Sequence, residues 1–353
     1  MPPATAPRID WVDFAKGICI VLVVMMHSTL GVEAAMGVVG RLNTFIEWAR
    51  PFRMPDFFLI SGLFLARRIA VPWRDYLDKK VIHFLYFYFL WMTIQFLFKG
   101  YGFWQEGGFP GLAQAWLMGF IDPFGTLWFI YLLPVFFLVT RLTRSLPPLL
   151  IFAVAAVLEI LPIHTGWIMV DEFAARFVFF FAGYWLSSYV FSFAGDVQKL
   201  STPSLMAALL IWGVVHTQVF ALGWSGLPVV SLILGFLGTG AVIAFAILLS
   251  RLPFGAVFRF LGENSIVVYL SFFVFMAASR IMALRLVPEL GPDIISLGVT
   301  LAGIAGPVLL FFAVRNTRAR FMFKRPRWAK LESWGEVWQT ARHDQSLSKP
   351  QAR

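Results

Sequence analysis

A chain of 353 residues with 59% hydrophobic and only 14% charged residues cannot cover a soluble fold, since soluble domains carry roughly 25% charged residues. Lipid must face much of its surface. The net charge of +10 fits attraction to anionic head groups. It does not fit nucleic acid, because the basic C-terminal stretch follows an apolar run directly and contains no reader motif.

A hydrocarbon core about 30 Å thick takes roughly 20 apolar residues at 1.5 Å rise each. In chain order, the apolar runs predict an all-α polytopic membrane protein of ten transmembrane helices at 15–35, 55–68, 81–98, 124–140, 146–163, 173–193, 204–222, 228–250, 264–284 and 294–314. The first run follows Arg8 and Lys16 as a signal peptide would, but Asp10 and Asp13 interrupt the basic flank, so it is read as a retained helix. The second is short enough to be broken or re-entrant. Between the third and fourth, 100–111 is rich in Gly and aromatic residues around Trp104 and reads as an outer loop. Pro307 is expected to kink the last run. Residues 1–314 therefore read as one membrane domain and 315–353 as a solvated, basic cytoplasmic tail.

Cytoplasmic loops hold the excess Lys and Arg. Ten spans from a cytoplasmic N-terminus put 22 of the 29 basic residues inside and leave Arg41, Arg50, Arg53, Lys99, Arg176, Arg280 and Arg285 outside. Both termini are thus expected in the cytoplasm. Cys19 is the sole cysteine, which excludes an internal disulfide and a multi-thiolate metal site, and no metal is expected.

Phosphate-cradling loops, serine nucleophile elbows and His-Glu-x-x-His pairs are absent from the sequence. The informative residues are ionisable groups inside apolar runs, where each costs on the order of 3 kcal/mol at the bilayer centre. Asp13, Lys16 and His27 share one face of the first helix, because eleven residues at 100° bring His27 within about 20° of Lys16. Lys16 has an ordinary explanation, snorkelling from a helix end. An imidazole ~16 Å further along the axis has none nearby in sequence.

The segment Arg8-Ile-Asp10-Trp11-Val-Asp13-Phe-Ala-Lys16-Gly17, followed by Val23-Val24-Met-Met-His27, resembles the opening helix of the acyltransferase-3 family, whose hallmark is a basic residue and a His separated by ten residues. Met54-Pro55-Asp56-Phe57-Phe58-Leu-Ile-Ser61-Gly62, Leu127-Trp128-Phe129, Phe180-Phe181-Ala-Gly183-Tyr184 and Leu261-Gly262-Glu-Asn264-Ser265 with Tyr269 are similar, in the same order, to later family segments. The likeness is nearest to sugar O-acetylases. Three places depart from the pattern. The family's Arg-x-x-Arg at the third helix reads Lys80-Val-Ile-His83, Arg53 stands where a His often precedes Met-Pro, and the late Tyr-Leu-x-His becomes Tyr269-Leu270-Ser271-Phe272.

The resemblance implies a bacterial inner-membrane enzyme that transfers a short acyl group, acetyl above all, from acyl-CoA to a carbohydrate or glycolipid hydroxyl. His27 would be base or transient acyl carrier with Asp13 beside it. Lys16, Lys80 and His83 would meet the anionic donor. On this reading acyl-CoA is a co-substrate and no cofactor is bound permanently. Arg53, Asp56, Trp128 and Arg176 are acceptor-side candidates. Glu263 and Asn264 are explained equally well by helix-end solvation, and His164, His216 and His343 read as interface, core and tail residues. A transporter or flippase of a glycan or lipid-linked intermediate would share the spans and the buried charges. The first-helix constellation and the ordered matches favour the enzyme.

Overall fold

The computed structural model describes residues 9–331 except Phe124. The helices, in chain order, are α1 (Asp10–Met36), α2 (Leu42–Leu63), α3 (Trp73–Leu77), α4 (His83–Met118), α5 (Trp128–Leu142), α6 (Pro148–Ile160), α7 (Ile168–Trp185), α8 (Ser187–Lys199), α9 (Thr202–Ala221), α10 (Val230–Ser250), α11 (Ala256–Glu263), α12 (Ser265–Leu286) and α13 (Pro292–Val314). No strand occurs among the described residues. Among the described residues, seven helical runs are long and apolar enough to cross a membrane. An eighth is available if α7 and α8, bent by 76°, count as one broken span.

Each apolar run expected to be helical contains a helix among the described residues, but three depart from simple spans. The run at 173–193 breaks at Leu186 into α7 and α8. The run at 146–163 yields only the 13 residues of α6. The short second run is the end of a 22-residue helix that begins upstream, among charged residues, and contains Pro51 and Pro55. The loop expected at 100–111 is instead helical, with a break only at Gly108, where φ is 60° and ψ −153°. The other glycines of that stretch tolerate helix, and only the Gly-Phe-Pro step interrupts it.

Helix ends follow local chemistry. Ser201 caps α9 by accepting the Ser204 N–H, with Pro203 in the first turn. Gly37 ends α1 in the left-handed region and donates to the Glu33 carbonyl.

Two compact units emerge, with described parts 9–66 with 144–310 and 67–143 with 311–331. In the first, α1 packs on α2, α10, α11 and α12, and α2 packs on α7. Two of these crossings depend on glycine. A Cβ on Gly17 or Gly262 would collide with the carbonyl oxygen of Phe258 or Asp13, and one on Gly62 or Gly183 with that of Phe180 or Leu59. The backbones touch there, which gives Gly17, Gly62, Gly183 and Gly262 of the quoted segments a packing role.

In the second unit, α3 passes into α4 through a π-helical turn, Asp78–Ile82. The Tyr76 hydroxyl donates to the Phe137 carbonyl at 2.6 Å and ties this turn to α5. Residues 318–331, expected as the start of a solvated tail, form a strap on the same helices. The Arg325 guanidinium meets the Asp78 carboxylate at 2.5 Å, with both side chains at most 5% exposed. The Leu331 N–H donates to the other Asp78 oxygen at 2.7 Å, and the Trp91 indole N–H donates to the Met322 carbonyl at 2.9 Å. Residues 332–353, including His343, lie outside the described residues.

Candidate functional site

The first helix carries the predicted constellation on a well-enclosed element. Asp13 is buried, and its Oδ1 lies 3.5 Å from the Lys16 Nζ, an i,i+3 pair whose lysine remains partly exposed. Three helical turns further, His27 is half-buried and its ring lies 5.4 Å from that of Phe272 on α12. Phe272 is wholly buried. Position 272, where the resembling segment has a His, thus faces the first-helix imidazole and gives it an apolar wall. Ser28 and Thr29 beside it are buried, with hydroxyls that have no hydrogen-bond partner. One turn beyond His27, the Arg280 Nη1 donates to the Gly31 carbonyl at 3.0 Å and fixes α12 to α1.

Arg53, Asp56 and Arg176 belong to the same unit and sit in different environments. Arg53 is 6% exposed and donates to the Ile46 carbonyl at 3.1 Å. Asp56 is completely enclosed, so it does not present itself to an acceptor from outside. Arg176 pairs with Glu172 at 3.1 Å and lines a polar cavity of about 540 Å³. His164, expected as an interface residue, is exposed on the rim of that cavity. His216 is buried and its Nε2 bonds the Trp48 carbonyl at 2.9 Å. Arg259 bridges Asp10 and Glu263 at 3.4 and 3.3 Å, so Glu263 serves a helix-end pair, while the Asn264 amide donates to the Phe260 carbonyl.

Lys80, His83 and Trp128 belong to the second unit. Lys80 stands on the π-helical turn, a feature that often marks functional positions, with its Nζ 4.5 Å from the Phe137 ring centre. The ring of His83 packs edge-on against Phe84 and Phe87. Trp128 opens α5 and packs on Phe129. A further cation, Arg141, was assigned only to topology by its position in the sequence. It is 3% exposed and lies 4.1 Å and 4.3 Å from the rings of Trp73 and Tyr76, with one hydrogen bond to the Val71 carbonyl at 2.6 Å. Its other nitrogens Nε and Nη1 are buried without a partner. No group of three or more metal-ligating side chains occurs among the described residues.

The described residues are all helical, with seven or eight potential spans and an imidazole inside the first helix, the architecture of a polytopic membrane protein. The acyltransferase-3 model, described as an acyltransferase domain, matches residues 9–314, and the chain belongs to that family. It is 26% identical over 222 residues to the inner membrane protein YcfT of Escherichia coli K12, which covers 57% of this chain and 62% of the relative. The chain thus spans somewhat less than two thirds of that relative's length. No solved structure matches.

Proposed function

We propose that this membrane acyltransferase moves a short acyl group, acetyl first among them, from cytoplasmic acyl-CoA to a hydroxyl of an extracytoplasmic or lipid-linked carbohydrate in a bacterial inner membrane, with His27 as general base. The observation that carries the reading is the half-buried imidazole in an apolar helix interior, on the face that bears Asp13 and Lys16 at one end. Imidazole titrates near neutrality without special tuning, which suits it to accept a hydroxyl proton and return it. In the step itself the His27 ring takes the proton and the sugar oxygen attacks the thioester carbonyl. The carbon–sulfur bond then breaks, and the coenzyme A thiolate leaves with the proton held on the imidazolium. Asp13 holds Lys16, and Lys16, Lys80 and His83 supply cationic or hydrogen-bonding groups for the donor's phosphates.

Coenzyme A, being multiply anionic, does not cross lipid, so its head stays on the cytoplasmic face while its thioester reaches inward. His27 lies ~16 Å from Lys16, roughly half the hydrocarbon thickness. Transfer therefore occurs across the membrane. The test is labelled acetyl-CoA incubated with oriented, sealed vesicles carrying wild type or His27→Ala. Label should enter glycan only in the wild type, with acetyl-CoA on the cytoplasmic face and acceptor on the other. Equal incorporation by the variant sinks His27 as base, and product formed only when both substrates share the cytoplasmic face sinks the transmembrane arrangement.

A further inference from the structure

α6 carries a single ionisable side chain, Glu159, next to its last residue. A carboxylate in such an apolar helix calls for a partner. The Ser231 hydroxyl donates to its Oε1 at 2.8 Å, while Oε2 is buried with no hydrogen-bond partner. Glu159 lines the cavity of about 540 Å³ together with Glu47, Arg50, Glu172 and Arg176. The two arginines are already paired with the glutamates on their own helices, at 3.2 Å and 3.1 Å. Asp171 also lines the cavity, so carboxylates outnumber guanidinium groups and an anionic ligand is disfavoured. What the lining leaves open is a donor for the buried Glu159 Oε2.

Two other features suit a ring with hydroxyls on its edge and C–H groups on its face. Phe179 and Phe220 contribute aromatic surface to the lining. The rim is preformed, because Asp171 accepts the backbone N–H and hydroxyl of Thr165 at 2.7 and 2.8 Å and the Gly166 N–H at 3.2 Å, which fixes the loop before α7. A preformed cavity loses little entropy on binding.

We propose that this cavity is a subsite for a neutral sugar ring whose hydroxyls donate to Glu159. The assignment rests on the acyl-transfer reading, since it makes the occupant a ring of the acceptor glycan remote from the hydroxyl that is acylated. α2 supplies Glu47 and Arg50 to the cavity and packs on both α1 and α7, so the subsite and His27 belong to one unit joined through α2. Contacts to a remote ring that are equal in the ground and transition states set affinity and not turnover.

The experiment is saturation-transfer NMR on the purified full-length chain, with methyl glycosides of glucose, galactose and N-acetylglucosamine as probes, glucose 6-phosphate as the anionic control and tetramethylammonium as the cationic one. At least one neutral glycoside should bind. Its affinity should fall about tenfold or more in Glu159→Ala, as for loss of a hydrogen bond to a charged group, and by less in Glu159→Gln and Ser231→Ala. If the alanine variant does not fold, the two milder variants carry the test. Binding of none of the three glycosides in the wild type, preference for either charged control, or unchanged affinity in folded variants overturns the subsite. Acetyl incorporation is measured on the same preparations. Transfer without glycoside binding overturns the subsite alone, whereas glycoside binding without transfer overturns the acyl-transfer reading and leaves the cavity a sugar site.

Discussion

His27 and Lys80 make different demands on the residues around them. On the proposed reading His27 acts on the reacting atoms, whereas Lys80 and His83 meet donor phosphates through contacts that persist unchanged from ground to transition state. Lys80→Ala and His83→Ala should therefore raise the Michaelis constant for acyl-CoA several-fold with turnover nearly kept, as steady-state kinetics would show. Collapse of turnover alone would place them in the chemistry. Asp13→Asn should leave thermal unfolding almost unchanged, because a pair with a lysine one-third exposed contributes about 0–1 kcal/mol. A loss of acyl transfer in that variant would then report on function and not on folding. His27 was legible in the sequence because an imidazole has no neighbour there to explain it. Glu159 and Arg141 were not, since one charge near the end of an apolar run reads as ordinary helix-end solvation. Their partners, Ser231 and the Trp73–Tyr76 pair, lie about 70 residues away.

At the scale of elements, the closest contacts are the glycine crossings. At Gly262 an added methyl would meet the backbone carbonyl of Asp13, which cannot rotate away as a side chain would. Gly262→Ala should destabilise by about 1–3 kcal/mol, the usual cost of overpacking. Gly213 in α9 has nothing within 4 Å, and Gly213→Ala should be neutral or stabilising by up to about 1 kcal/mol. Detergent-solubilised unfolding of the two variants compares them directly, and equal melting points would deny the crossing its role. Hydrophobic run length foretold where helices form, because backbone groups in lipid have no partners but their own. It did not foretell the break at Leu186, which carries neither Gly nor Pro, nor the helix through 100–111. No local signal in the chain marks the first, and the second shows that scattered glycines alone do not end a helix.

At the scale of the molecule, the family membership and the all-helical architecture agree with the sequence pattern, while orientation rests on the distribution of basic residues. Both termini are expected in the cytoplasm, and a reporter fused after Arg353 that works only outside would overturn that. The strap makes a separate prediction. Removing one partner of a buried pair costs about 3–5 kcal/mol, so Arg325→Met should lower the unfolding temperature markedly. Asp78→Asn combined with it should recover part of the loss, and strict additivity of the two changes would show that the pair is not coupled.

The same strap has a consequence for synthesis. Asp78 and Arg325 are separated by 247 positions, and a ribosome adding about 5–20 residues per second needs roughly 12–50 seconds to cover that interval. Throughout that time the Asp78 carboxylate sits at the head of an apolar helix without its cation. The nascent helix must keep that end hydrated or shielded by the insertion machinery until translation is nearly complete. A chain cut short before Arg325 would keep every apolar run and still leave this acid unanswered, a mark by which quality control could tell an unfinished copy from a finished one.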